Sequence, residues 1–340
     1  MIGTSHRSPF PNNTPLLSVV VPVYNEKPVL PTLYARLVAV LSKVPARFEI
    51  VLVDDGSTDG SGQFIVDLAQ RVTGVRAVRL SRNFGKEAAL TAGINYARGD
   101  AVIVLDADLQ DAPELIPDML DAWRNGAHVV AMKRRSRAGE TAFKKFSAHL
   151  FYRLLNRISS VDIPEDTGDF RLMSRQAVDA LAQLPERNRY MKGLFAWIGL
   201  PTTVIEYDRA PRAAGQSQLH YPGLFKLAFE GVTSFSVAPL RIAMLLGLLI
   251  ALAGILFGVW IFAKTLLLGE VVPGYPSLIA IMTVLGGAQL ISVGLLGEYV
   301  GKAYFEAKQR PVYLVRDVAE RASNAQQLNL IATEGKTYVA

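Results

Sequence analysis

The sequence of 340 residues contains no cysteine, which excludes disulfide bonds and thiolate metal sites. It also lacks a Gly-x-Gly-x-x-Gly motif and a Gly-x-x-x-x-Gly-Lys-Ser/Thr loop, which counts against NAD-binding and P-loop proteins. No recognisable nucleic-acid-binding module accompanies the formal net charge of +6. A basic chain suits either a polyanion or an anionic membrane surface, so this lack favours membrane lipids over nucleic acid as partners.

A long hydrophobic run is also absent from the N-terminal segment. Residues 1–15 are polar and rich in proline and asparagine, which predicts a disordered tail rather than a signal peptide. Hydrophobic residues nevertheless make up 50% of the chain, which is high for a soluble protein. The excess must therefore be concentrated elsewhere in the sequence.

Charged residues are almost absent from two later runs, 242–262 and 278–299. The second run has Glu298 as its one charged residue, at its very end. Each run reaches the length of about 20 residues that a membrane-spanning helix needs. The sequence therefore predicts a two-helix transmembrane anchor over residues 239–302.

Basic residues flank these two runs on their outer sides. Arg241 precedes the first run, whereas the loop between the runs holds little charge beyond Lys264 and Glu270. The positive-inside rule then places both flanks and the globular part in the cytoplasm, as in a multi-pass protein of the inner membrane. The basic residues after the second run include Lys302, Lys308, Arg310 and Arg316.

The segments before and after the anchor also have sequence patterns that predict secondary structure. Residues 221–238 predict an amphipathic helix at the bilayer surface, with a helix packed on the globular domain as the alternative. Residues 303–340 are predicted to form a cytoplasmic tail that contains a short strand over 312–315. Glycines in both membrane helices permit close packing, within the chain or between protomers of a homo-oligomer.

The globular part, 16–220, alternates apolar runs with segments of helical spacing. This alternation predicts an α/β fold with a doubly wound, mostly parallel sheet. Pro22 cannot donate a ladder hydrogen bond and is predicted to mark the end of pairing on the first strand. The predicted strands are 17–23, 48–53, 75–80, 101–105 and 129–132, and the predicted helices are 29–44, 61–72 and 87–97.

Two carboxylates, Asp106 and Asp108, follow the apolar run 101–105. If the backbone stays extended, both side chains project from one face, because strand side chains alternate. Two like charges at that spacing require a cation or many donors between them, and oxygen ligands suit Mg²⁺ or Mn²⁺. The alternative is that these side chains cap a helix that starts near Pro113.

Several motifs together closely resemble one enzyme family. They occur in the order VPVYNE at 21–26, VDDGSTD at 53–59, DADLQD at 106–111, DTGDFR at 166–171 and RYMKG at 189–193. Trp197, Gly199, Arg212, Gly215 and Ser217 continue the likeness. The combination is similar to family 2 glycosyltransferases of the GT-A fold, in the group that glycosylates polyprenyl phosphates.

The resemblance implies roles for individual residues. Pro22, Tyr24, Glu26 and Asp54 or Asp55 would bind the base and ribose of a UDP- or GDP-sugar. Asp106 and Asp108, helped by Gln110, would hold Mg²⁺ or Mn²⁺ and the diphosphate. Arg134, Lys192, Arg212 and Ser217 would contact the phosphates of the donor and of the polyprenyl-phosphate acceptor. The family commonly has Ser-Lys-Tyr where this chain has Ser217, Gln218 and Leu219, so one cation expected beside the acceptor is missing.

Asp169 is the natural candidate for a catalytic base beside Asp108. A phosphate monoester is already largely ionised at pH 7, however, so the acceptor needs no base before it attacks. Asp169 is therefore as readily a residue for positioning or charge balance. The alternative is that it serves as a cap or forms a salt bridge to Arg171.

Three functions compete for this sequence. The favoured one is inverting transfer of a single sugar from the nucleotide donor to a polyprenyl phosphate on the cytoplasmic membrane face. A processive polysaccharide synthase is expected to show a Gln-x-x-Arg-Trp motif and more membrane helices, and the sequence has neither. A non-enzymatic lipid-binding scaffold would be expected to lose the acidic pair, and both Asp106 and Asp108 are present.

Overall fold

The computed structural model describes residues 14–135, 167–187, 189–208, 233, 236–268 and 274–321. The chain divides into two compact units, with residues 221–310 in the second unit and residues 311–321 back in the first. Several predictions lie outside the described residues: the tail 1–13, most of the amphipathic segment 221–238, and the side chains of Arg212 and Ser217.

The first unit begins with alternating strands and helices. In chain order these are β1 (Leu16–Val23), α1 (Leu30–Leu41), β2 (Arg47–Asp54), α2 (Ser61–Arg71), β3 (Val75–Leu80), α3 (Lys86–Tyr96) and β4 (Ala101–Val104). A 3-10 turn (Pro113–Leu115), α4 (Ile116–Arg124) and β5 (Val129–Arg134) follow. The remaining elements are β6 (Thr167–Ser174), α5 (Arg175–Ala182), α6 (Met191–Trp197), β7 (Thr202–Tyr207) and β8 (Val315–Glu320).

All eight strands form one sheet in the order β7-β5-β6-β4-β1-β2-β3-β8. β1 pairs in parallel with β2 and β4, and β2 pairs in parallel with β3, whereas β6 runs antiparallel to β4 and β5. The central strands are continuous apolar runs because helices cover both faces, as in other parallel sheets. The structure thus confirms the predicted mostly parallel α/β sheet.

Pro22 ends strand pairing on one side of β1 only. The ladder to β4 stops at the pair Val20 and Val104, whereas the ladder to β2 continues to Val23 and Asp54. Val20 accepts a backbone hydrogen bond from Leu105 on the β4 side, and Pro22 presents its backbone to that same side, two residues later. The missing N–H therefore falls where no ladder bond is needed.

Helix α3 packs unusually close to the sheet. A Cβ atom added to Gly93 would overlap the side chain of Val20 and lie 3.0 Å from Cγ2 of Val53. Only glycine permits this approach of the helix to β1 and β2. The close packing fixes the position of α3, and so of Lys86 at its first turn, over the carboxyl ends of the central strands.

The C-terminal segment differs from its prediction as a tail. The strand over 312–315 was predicted too early, because the observed strand β8 covers Val315–Glu320 and pairs antiparallel with β3. Arg79 lies directly opposite Asp317 and binds it through two hydrogen bonds of 2.8 and 2.7 Å. Cross-strand charge pairs of this kind stabilise a sheet edge and set its register.

A buried ion pair also joins β8 to the sheet. Nε of Arg76 donates to Glu320 at 2.6 Å, and Nη2 of Arg76 lies 3.4 Å from Glu49. Arg76 and Glu49 are almost fully buried, so both depend on charged partners. Glu320 is therefore the nearer of the two carboxylates that contact the buried Arg76 guanidinium.

Within the described residues, the second unit contains two long helices, α7 (Ala238–Leu268) and α8 (Tyr275–Ala307). Both helices are long and apolar enough to cross a membrane, over Ala238–Leu267 and Ile281–Ala307. Their large apolar side chains face outward, as expected for contact with lipid. The Tyr299 hydroxyl donates to the Ser236 carbonyl at 2.6 Å and so ties the two helices at one end.

We expect Glu320→Gln to lower the free energy of unfolding by about 2 kcal/mol or more, because Arg76 would lose a charged partner in a buried site. The matched control is Glu114→Gln, which breaks the exposed ion pair with Arg36 and is expected to cost less than about 1 kcal/mol. Urea denaturation of both variants tests this difference. Equal losses would contradict the role given to β8.

Candidate active site

The polar residues singled out by the sequence lie in loops at one edge of the sheet. Parallel strands bring their carboxyl ends together, and open α/β sheets bind ligands at that edge. The loops after β1 and β2 are joined directly: the Asn25 amide N–H donates to Ser57 Oγ at 3.0 Å, and the Thr58 N–H donates to Asn25 Oδ1 at 2.8 Å. Asn25 adopts a left-handed φ of 55°, which asparagine tolerates better than most residues.

The residues predicted to bind the base and ribose lie on these two neighbouring strands. Pro22 pairs with Val53, and the next step of the ladder brings Val23 opposite Asp54. Tyr24 follows immediately and is 45% exposed, so part of its aromatic side chain is accessible for stacking. The structure thus brings Pro22, Tyr24 and Asp54 to adjoining positions.

Asp54 and Asp55 have different partners. Asp54 accepts the Ser57 N–H at 3.0 Å and lines a cavity of about 360 Å³ together with Arg79, Arg82 and Arg316. The buried carboxylate of Asp55 instead accepts the N–H groups of Phe84 and Gly85, at 2.7 and 2.9 Å. Burial raises the pKa of Asp55, although these two donors oppose the shift. Asp55 therefore holds the loop that leads into α3.

The backbone after β4 does not stay extended, so the geometry predicted for Asp106 and Asp108 is wrong. The strand ends at Val104, the chain turns at 107–109, and Leu109 has a φ of 59°. Oδ1 of Asp108 accepts the N–H of Gln110 at 3.1 Å, which is a local turn bond. Neither this side chain nor another caps the 3-10 turn that begins at Pro113.

Lys86 lies between two carboxylates of the site. Its ammonium nitrogen is 2.7 and 2.9 Å from the two carboxylate oxygens of Asp106 and 2.6 Å from Oδ2 of Asp169. Both aspartates raise the pKa of Lys86, although burial opposes the shift. Lys86 was not among the site residues predicted from the sequence. One signal was available: a lysine in the first turn of a helix opposes the helix dipole and needs a local reason.

Asp169 lies on β6 in a strongly positive environment. Burial would raise the pKa of its carboxyl group, but Lys86, Lys192 and Arg171 together lower it. The ion pair that the structure shows is with Lys86, whereas the buried Arg171 guanidinium lies 3.7 Å above the Phe195 ring and donates to the Gly168 carbonyl. A carboxylate with a lowered pKa is a weak base, which favours positioning or charge balance over proton removal.

Two more cations and one acid adjoin Asp169. Lys192, in the first turn of α6, lowers the pKa of Asp169. Nη2 of Arg134 lies 3.7 Å from the position that a Cβ atom on Gly168 would occupy. Burial and the charge of Asp169 raise the pKa of Glu87 to about 7. The structure therefore brings Arg134 and Lys192 to the same edge as Asp169.

The residues present suit a metal whose coordination is completed by substrate. Within the described ranges, no group of three or more acidic or histidine side chains converges into a complete metal cage. The predicted ligands Asp106 and Asp108 carry carboxylate oxygens, and Gln110 carries an amide oxygen. Mg²⁺ commonly binds through one or two carboxylates together with substrate phosphates, so this donor set fits Mg²⁺ or Mn²⁺.

Comparisons with known proteins agree with this architecture. The model of glycosyl transferase family 2 matches residues 18–182, and that of the GtrB C-terminal hairpin matches residues 238–303. A bactoprenol glucosyl transferase of Shigella phage SfV is 45% identical over 90% of this chain and 99% of its own length. An uncharacterized glycosyltransferase of Synechocystis is 49% identical over 89% of this chain and 95% of its own.

Among solved structures, glucosyl-3-phosphoglycerate synthase from Mycobacterium tuberculosis is similar, with a TM-score of 0.46 and 20% identity. The likeness covers 64% of this chain and 76% of that one. The identity to whole-length relatives, together with both family models, confirms the resemblance drawn from the motifs. The chain belongs to glycosyl transferase family 2, carries a GtrB C-terminal hairpin, and is a glycosyltransferase.

Proposed function

We propose that the protein transfers one glucose unit from a nucleotide sugar to a polyprenyl phosphate at the cytoplasmic face of the inner membrane. The proposal rests on the cluster of Asp106, Lys86 and Asp169, which lies at the edge of the sheet where the parallel strands end. The same chain carries a hairpin of two helices that are long and apolar enough to cross a membrane. Relatives of nearly equal length are named bactoprenol glucosyl transferases, which supports glucose and a polyprenyl acceptor.

The donor nucleotide is proposed to bind at the ends of β1 and β2. The exposed ring of Tyr24 offers a face for stacking of the base, and Glu26 and Asp54 offer acceptors for the hydroxyls of the ribose. Pro22 shapes this loop. Asp55 acts indirectly here, because its carboxylate is engaged by the loop before α3.

The diphosphate is proposed to lie over Asp106, Asp108 and Gln110. These three residues would hold Mg²⁺ or Mn²⁺, and the bound cation would neutralise charge on the departing nucleoside diphosphate. A second group of cations, Arg134 and Lys192, adjoins Asp169 and is suited to the acceptor phosphate. Arg212 and Ser217 remain proposed phosphate contacts from outside the described residues.

The reaction is proposed to be a single displacement at C1 of the sugar. An ionised oxygen of the acceptor phosphate forms the new bond to C1, while the bond from C1 to the diphosphate oxygen breaks. The electron pair of that bond leaves with the nucleoside diphosphate, and the configuration at C1 inverts. The acceptor loses no proton in this step, which agrees with the lowered pKa of Asp169.

The topology of the sheet supports a hairpin anchor. β7 precedes the two helices and β8 follows them, yet both are strands of one sheet. If both helices span the bilayer, the chain must leave and return on the same side. The basic residues at the two ends, Arg241 in the first turn of α7 and Lys308 after α8, support the cytoplasm as that side.

We expect Asp108→Asn and Asp106→Asn to lower transfer of glucose from UDP-glucose to undecaprenyl phosphate by about 100-fold or more, because charge on the leaving diphosphate would lose its counter-ion. Radiolabel in the organic phase, with purified protein and Mn²⁺, measures the product. Asp121→Asn, on the exposed side of α4, is the matched control and should keep wild-type activity. Failure of the wild type to label lipid with any nucleotide sugar would refute the proposed acceptor.

The absence of cysteine makes the topology directly testable. We expect a Val272→Cys variant to react with a membrane-impermeant maleimide in bacteria whose outer membrane is permeabilised, because this loop would face the periplasm. A Lys308→Cys variant should react only after the inner membrane is broken. Labelling of both variants, or of neither, before that step would contradict the hairpin.

A further inference from the structure

The Lys86 ammonium occupies the space that separates the acidic residues of the site. It contacts both carboxylate oxygens of Asp106, at 2.7 and 2.9 Å, and one oxygen of Asp169, at 2.6 Å. Asp106 lies in the loop after β4 and Asp169 lies on β6, and their negative charges would repel each other across this gap. Lys86 therefore holds the two carboxylates together.

The backbone that carries Lys86 is fixed in advance. Asp55 binds the N–H groups of the two preceding residues, Phe84 and Gly85, and Gly93 lets α3 pack tightly on β1. The side chain beyond this fixed backbone is flexible and 46% exposed. Lys86 is thus an anchored residue whose ammonium is still able to move.

The observed position of this ammonium is incompatible with binding of the donor and its divalent cation at Asp106. A divalent cation on Asp106 takes a carboxylate oxygen at about 2.0–2.2 Å, and it repels a second positive charge on the same carboxylate. Both Asp106 oxygens already lie within 2.9 Å of Lys86. The two cations therefore compete for Asp106, and the donor brings a diphosphate that offers the ammonium another anionic partner.

We propose, on the basis of the proposed function, that Lys86 is a positioning residue that joins Asp106 to Asp169 before loading and turns to the donor diphosphate afterwards. This exchange keeps the acidic site balanced in both states. The exchange also links donor binding to Asp169. The ammonium gives up its contact with Asp106 for the diphosphate but stays beside Asp169, next to the proposed acceptor site.

The test compares Lys86→Met with Lys86→Arg and with Lys43→Met, an exposed lysine at the end of α1. Mn²⁺ binding to each purified protein without nucleotide is measured by electron paramagnetic resonance. Lys86→Met should bind Mn²⁺ about fivefold more tightly than the wild type, because its competitor is gone. Lys86→Arg and Lys43→Met should stay within about twofold of the wild type, since both keep a cation beside Asp106.

Glucose transfer gives the second readout. Lys86→Met should lose about tenfold or more in kcat despite tighter Mn²⁺ binding, because the diphosphate loses its ammonium partner. A residue with only a structural role would weaken both properties. If Lys86→Met fails to fold, Lys86→Gln replaces it, since the glutamine amide can still form hydrogen bonds but carries no charge.

Unchanged or weaker Mn²⁺ binding in folded Lys86→Met, or in Lys86→Gln where it replaces that variant, would overturn the proposal, and so would an unchanged kcat in the same variant. The Mn²⁺ titration needs no acceptor and no sugar. It therefore decides the competition even if the wild type transfers no glucose, a result that would count against the proposed function alone.

Discussion

Parallel pairing of β1 with both β2 and β4 is the constraint on which the site depends. It sends three chain segments to one edge of the sheet, and each then turns into a polar loop. Hydrogen bonds between Asn25 and the loop after β2 hold two of these loops together, and Asp55 holds the loop before α3. The scaffold thus places charged groups that lie far apart in sequence within ion-pair distance.

The positive and negative side chains at this edge of the sheet offset one another. Asp106 and Asp169 share one ammonium, while the buried Arg171 adds positive potential without forming the direct ion pair. Burial alone would make Asp169 a stronger base, yet the surrounding cations have the larger effect and lower its pKa. Such an arrangement suits a reaction in which anionic phosphates are held and exchanged and little proton transfer is required.

The sequence predicts the parts of this protein that depend on local pattern. Continuous apolar runs identify the central strands and both long apolar helices, because burial on two faces, or the length and composition of a candidate membrane span, leaves no room for alternation. The turn after Val104 was missed, since Leu109 in a left-handed conformation carries no composition signal. β8 was misplaced because its charged residues are typical of a solvent-exposed tail. Only the folded structure shows that Asp317 and Glu320 form ion pairs with arginines of β3. Lys86 was missed because its partners, Asp106 in the loop after β4 and Asp169 on β6, come much later in the sequence.

The return of the chain to the sheet after α8 sets an order of assembly. β3 and β8 are neighbours in the sheet, but the whole membrane hairpin lies between them in the sequence. During synthesis the ribosome delivers β8 after both helices have emerged, so the edge of β3 stays open until then. An open edge invites pairing with other chains. Completion of the sheet therefore waits until both long apolar helices have been synthesised, and a chain that stops before β8 keeps an unprotected sheet edge.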